Sequence, residues 1–86
     1  MNTIEKKIWP KYFDAIKKGT KNYELRLADF KVKKGDTLIL KEWNPKTKKY
    51  TGREIKKKAK FVFKTKDQKF WSKKEIKKFG FLIIGF

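Results

Sequence analysis

Apolar positions recur along this chain with two different periods. From Trp9, the stretch WPKYFDAIKKG places Tyr12, Phe13 and Ile16 at i, i+1 and i+4, which is one face of a helix. Pro10 suits the first helical position, where its missing N–H would have no partner anyway, and Gly19 falls just past the end. Lys17 and Lys18 complement the negative end of the helix dipole. From Lys21 to Leu27 the period drops to two. Tyr23, Leu25 and Leu27 alternate with Asn22, Glu24 and Arg26, the pattern of a half-buried strand with Glu24 and Arg26 on a common face.

The next segment, FKVKKGD, reads as a connector with Phe30 and Val32 pointing one way and a turn at Gly35 and Asp36. It leads into a strand over Leu38 to Trp43. Asn44, Pro45 and Gly52 bracket a polar loop, NPKTKKYTG, and alternation resumes from Arg53 to Phe63, so a long-looped hairpin is expected. Its Lys56, Lys58 and Lys60 face is most simply a solvated outer surface. Between Thr65 and Phe79, Ser72 and Glu75 fit a capping box, with Ile76 and Phe79 giving a short helix one apolar face. The terminal FLIIGF is too short for a helix and reads as a buried strand.

Composition narrows the chemistry. A length of 86 residues supports one hydrophobic core, so a single domain over 1–86 is expected. Aromatics make up 16% of the chain and are spread along it, which separates it from a disordered basic tail. No apolar run approaches a membrane span and no signal-peptide region follows the first residues, so a cytoplasmic protein without a membrane partner is expected. With neither cysteine nor histidine, disulfides, zinc fingers, thiol nucleophiles and imidazole bases are excluded, and no metal or other cofactor is expected. Nothing in the pattern calls for an oligomer, and a monomer is expected.

The formal net charge of +17 attracts polyanions through a long-range field, which points to nucleic acid. Lysine enrichment across a whole proteome would give the same excess. All the basic residues but Arg26 and Arg53 are lysine, which makes those two the more informative cations. Tyr50 sits among Lys46, Lys48, Lys49 and Arg53, where an exposed ring between cations suits single-stranded nucleic acid. Trp9, Trp43 and Trp71 are also possible stacking platforms, although large aromatics in a small domain more often serve the core.

The densest polar information lies in GTKNYELR, Gly19 to Arg26. Glu24 can pair with Lys21 or Arg26 and leave the other cation for an anionic ligand; the alternative is a salt-bridged strand surface. Gly19-x-Lys21-x-x-Glu24-x-Arg26 after an amphipathic helix resembles the GxKxxExR signature of the ASCH family in the PUA-like superfamily. The stretches KIWPKYFDAIKKGTKNYELR, FKVKKGDTLILKEWNPKTKKYTGREI and FGFLIIGF look like an ASCH-related subgroup known only as a domain of unknown function. The likeness covers the chain apart from residues 65–78.

This resemblance implies an α+β fold: a small PUA-like mixed β-barrel of about five or six strands with flanking short helices. It also implies a cleft into which Lys21, Glu24 and Arg26 project. The function implied is RNA binding, with Lys21, Glu24, Arg26, Tyr50, Lys48, Lys49 and Arg53 as the candidate nucleic-acid-binding residues. Some ASCH proteins are hydrolases of acetylated cytidine or ribonucleases, so a small amidohydrolase acting on a modified nucleoside, using Lys21 and Glu24, is the alternative. Hydrolytic members pair the motif lysine with a threonine two positions before the arginine and with a distant glutamate. Here the first of those positions is Glu24, Thr20 lies on the other side of Lys21, and Asp67 and Glu75 fall outside the likeness, so the resemblance favours binding over catalysis.

Overall fold

In the computed structural model, residues 1–65, 74, 77, 78 and 80–86 are described. The expected helix is present as α1 (Pro10–Lys18). Trp9 is extended before it, and its carbonyl accepts from the Tyr12 and Phe13 amides. Gly19, in the left-handed region at φ 83°, closes the other end by donating to the Ile16 carbonyl, while Thr20 and Lys21 both donate to Ala15. A residue with a Cβ is strained in that conformation, which explains glycine at the point where the chain must turn back. Phe13 and Ile16 are buried, whereas Tyr12 is exposed at 42%.

Six strands accompany α1 among the described residues: β1 (Thr3–Ile8), β2 (Tyr23–Leu27), β3 (Thr37–Asn44), β4 (Lys49–Lys58), β5 (Phe61–Lys64) and β6 (Phe81–Gly85). They form two three-stranded sheets, ordered β1-β3-β4 and β2-β6-β5. β1 is parallel to β3, which requires a crossover connection, and α1 lies within it. The other pairings are antiparallel. The inner faces of both sheets and α1 share one core, in which Ile16, Leu38, Leu40, Leu82 and Ile84 are almost wholly enclosed.

Several expectations are corrected here. β1, TIEKKI, went unread because only Ile4 and Ile8 interrupt its polar positions, yet these are the residues that pack toward the core. The long loop is a tight turn: Asn44 Oδ1 accepts from the Lys46 and Thr47 amides, its carbonyl accepts from Lys48, and Lys48 sits at φ 56°. Tyr50 therefore lies on β4 and not in a loop. The single strand expected over residues 53–63 breaks at Ala59, a fully buried corner whose amide donates to the Asp36 carbonyl and whose own carbonyl accepts from Gly35. The chain passes there from one sheet to the other. The residues on which the expected capping box and helix rest, Ser72, Glu75, Ile76 and Phe79, lie outside the described residues.

Among the described residues, backbone pairing does not close the two sheets into a barrel. Around the core the order is β1-β3-β4, the Ala59 corner, then β5-β6-β2. The circuit ends where the free edge of β2 meets the free edge of β1, and the contact there is made by a side chain: Arg26 Nη1 donates to the Lys7 carbonyl at 3.0 Å.

Candidate functional site

β2 is a half-buried strand, but its faces are the reverse of what alternation suggests. Tyr23, Leu25 and Leu27 are exposed at 48%, 54% and 47%, while Glu24 is only 4% exposed. A bare carboxylate could not occupy that position, because burying an unpaired charge costs several kcal/mol. Two cations make it tolerable. Lys21 Nζ lies 3.0 Å from Glu24 Oε1, and Arg26 Nη1 lies 2.8 Å from Oε2. Lys21 also donates to the Tyr23 carbonyl at 2.9 Å.

These bonds assign the donors. Both carboxylate oxygens of Glu24 are engaged, and Arg26 Nη1 is shared between Glu24 and Lys7. The guanidinium has five N–H donors in a fixed fork. Nε and Nη2 of Arg26 donate to no group among the described residues, so that edge of the fork is available to a ligand. Lys21 has three ammonium protons and two partners.

A cleft of about 710 Å³ opens along the seam between β1 and β2. Lys21, Glu24 and Arg26 contribute to it from one side, Lys6, Lys7 and Ile8 from the other, and Trp9, Tyr12, Tyr23 and Trp43 add aromatic rings. Three of those rings, Trp9, Tyr12 and Tyr23, are substantially exposed. The Lys21 ammonium is 5.5 Å from the Tyr12 ring centre and 4.9 Å from that of Tyr23, and Lys7 lies 4.6 Å over Trp43. The volume falls in the range of small-ligand sites, and aromatic faces beside hydrogen-bonding cations fit a planar anionic ligand.

The remaining candidate residues lie elsewhere. Lys48, Lys49 and Tyr50 are on the exposed hairpin and do not line the cleft. Tyr50 nonetheless pairs across the ladder with Trp43, which does line it. Arg53 belongs to a second ion network. Its Nε and Nη2 grip the buried Glu42 at 2.9 and 2.6 Å, Nη2 also reaches Asp14 at 3.0 Å, and the guanidinium sits 4.5 Å over the Phe13 ring. Thr51 adds a hydroxyl bond to Glu42. The Arg53 guanidinium, more than the Thr51 hydroxyl, holds the Glu42 carboxyl below its usual range against the opposing effect of burial, and Arg53 is itself raised by the same contacts. This network clasps α1 to the β3–β4 hairpin.

Sequence reasoning missed the rings of Tyr12 and Tyr23 as parts of the site. Their spacing around Lys21 was visible, but the side of β2 on which the charged residues lie was not. Among the described residues no cluster of acids could hold a metal ion, and no helix is long and apolar enough to cross a membrane.

An α+β domain with two small sheets and a charged, aromatic-lined seam is the class that fold and site define. Within that class the chain belongs to the family described as "Domain of unknown function (DUF3850)", whose model matches residues 3–80. It is also similar to a product of Escherichia phage P2 described as "Uncharacterized 12.9 kDa protein in GpA 3'region", with 43% identity over 51 residues. That match takes in 59% of this chain and spans 45% of the relative's length.

Proposed function

We propose that this protein binds single-stranded RNA, taking an unpaired nucleotide into the seam between β1 and β2. On this reading the two sheets are the halves of a PUA-like barrel of the ASCH type, opened at the seam. The observation that carries the proposal is the cleft itself, whose lining sets Lys21 and Arg26, two of whose nitrogens donate to no group among the described residues, beside four aromatic rings. Arg26 and Lys21 contact phosphate, and the rings stack on the base. Glu24 orients the two cations, each of its oxygens accepting from one of them. Lys48, Lys49 and Tyr50 extend the basic surface beyond Trp43, and Arg53 contributes to the field while serving its own ion network.

Fluorescence anisotropy of a short single-stranded RNA, with the wild type and with Lys21→Ala/Arg26→Ala, tests this at physiological salt. The double variant is expected to lose at least about tenfold in affinity, and wild-type affinity to fall by about 0.7 log units per log unit of salt for each neutralised phosphate. Equal, weak binding by both proteins sinks the proposal.

The 3.0 Å Lys21–Glu24 pair inside the cleft favours one second reading, an amidohydrolase acting on a modified nucleoside. Against it, the Thr20 hydroxyl donates to the Ala15 carbonyl at the end of α1 and does not line the cleft. Turnover of acetylated cytidine that disappears in Lys21→Ala is the result that would replace binding by catalysis.

A further inference from the structure

The outer face of the β2-β6-β5 sheet is unusual for a sheet surface. An antiparallel sheet with one face on the core commonly turns polar residues to water on the other. Here the ladder sets Tyr23 opposite Gly85 and Gly85 opposite Phe61, and the next outward row is Leu25, Ile83 and Phe63. Directly opposed residues share a face. Tyr23, Leu25, Ile83 and Phe61 are all exposed, Phe61 most of all at 59%. Phe61 and Phe63 lie at i and i+2 with ring centres 6.5 Å apart and planes 23° from parallel. Gly85 presents no side chain between Tyr23 and Phe61, and a Cβ there would stand 3.3 Å from that of Phe61, so only glycine lets the phenylalanine come this close.

We infer that this face is a second platform for the same single-stranded RNA, with bases stacking on Tyr23, Phe61 and Phe63 after the strand leaves the cleft. The inference rests on the binding reading above and extends it from one nucleotide to a polymer. Three observations support nucleic acid as the occupant. The chain carries +17 in 86 residues, which complements a polyanion. Lys60, which is exposed, stands at the entrance to the strand that bears the phenylalanines, whereas Lys64 at its other end pairs with the buried Leu82 and lies on the core side of the sheet. Tyr23 belongs to both surfaces: it lines the cleft, its ring lies under the Lys21 ammonium at 4.9 Å, and its ladder position opens the apolar row. Aromatic residues at alternate positions of an antiparallel sheet stack unpaired bases without needing a particular sequence. The exposed aliphatic Leu25 and Ile83 continue the apolar surface in the next row.

The test is affinity against length, measured by anisotropy at physiological salt with oligouridylates of two and twelve nucleotides and a twelve-residue abasic strand. The wild type is expected to bind the twelve-mer at least about tenfold more tightly than both the dinucleotide and the abasic strand. Phe61→Ala is expected to lose that gain and to bind the dinucleotide as the wild type does. Phe61→Leu, which keeps an apolar side chain and removes the ring, should lose most of it, and Phe61→Trp should keep it, which separates stacking from a folding defect. A twelve-mer that binds Phe61→Leu as tightly as wild type overturns the platform, as does an abasic strand that binds like the uridylate; in either case the face is left to a protein partner. Failure of the wild type to bind even the dinucleotide would instead remove the cleft reading on which the platform rests.

Discussion

Arg26 on β2 reaches the main chain of β1, its Nη1 donating to the Lys7 carbonyl at 3.0 Å while the same nitrogen holds Glu24 at 2.8 Å. One guanidinium thus joins β1 and β2, which belong to different sheets, while its other two nitrogens donate to no group among the described residues. A lysine that held both groups would keep one N–H where arginine keeps three, and it lacks the planar fork. Arg26→Lys is expected to weaken binding of a short single-stranded RNA by about tenfold with the net charge unchanged. Anisotropy titration checks this, and an undiminished affinity would show that charge alone suffices at this position.

Glu24 lies between two cations with almost no exposure. Glu24→Gln keeps the shape and removes the charge, leaving Lys21 and Arg26 close together without their counter-ion. A loss of about 2 kcal/mol is expected, less than for a fully enclosed pair because the cleft admits water to both cations. Urea denaturation at neutral pH measures it. A variant as stable as the wild type would mean that the cations hold their places without the carboxylate.

Acid should weaken the fold through two carboxylates outside the cleft. Asp36 is held below its ordinary value of 3.8 chiefly by the amides of Asn2 and Lys33, and Glu42 below 4.5 chiefly by Arg53. A carboxylate whose folded pKa is depressed contributes stability that is complete above its unfolded pKa and is lost as pH falls through the folded one. Stability is therefore expected to hold steady from pH 7 to about pH 5 and to fall progressively below about pH 4.5. Arg53→Ala should lower stability at pH 7 and flatten the Glu42 part of that fall, since the main cause of the depression is gone. Thermal melts across pH 3 to 7 for both proteins read the two effects together.

Gly19 ends α1 at φ 83°, and nothing lies within 4 Å of where a Cβ would stand. Gly19→Ala therefore meets conformational strain without a clash, and a loss of about 1 kcal/mol is expected. Because the Lys21 amide bonds to the same turn, RNA affinity should fall along with stability if the cap sets the position of Lys21. Unchanged affinity in a destabilised variant would separate the cap from the site.

α1 was legible because proline, the apolar face and glycine agree on its limits. The strand character of β2 was legible as well, but a period of two says only that residues alternate. It does not say which set faces inward, and hydrophobicity alone chooses Tyr23, Leu25 and Leu27. The structure chooses Glu24 and Arg26, because a carboxylate flanked by two cations can occupy a buried position that a lone charge could not. β1 was hidden for a related reason: a sheet-edge strand needs few apolar residues, and Ile4 and Ile8 are enough. Arg53 drew attention as one of two arginines, and its neighbours Glu42 and Asp14 are distant in sequence, so its place in an ion network was not readable from the chain.

The seam also bears on how this protein avoids its own kind. Unpaired strand edges invite pairing with foreign strands and so promote aggregation, and small sheets protect them with inward-pointing charges or by covering them. Here β1 and β2 turn their free edges toward each other, with Lys21, Glu24 and Arg26 set between them. The charged residues that line the cleft therefore also stand where edge-to-edge association would begin. A sequence that drifts at these positions should lose solubility along with recognition, so the two properties are tied to the same three side chains.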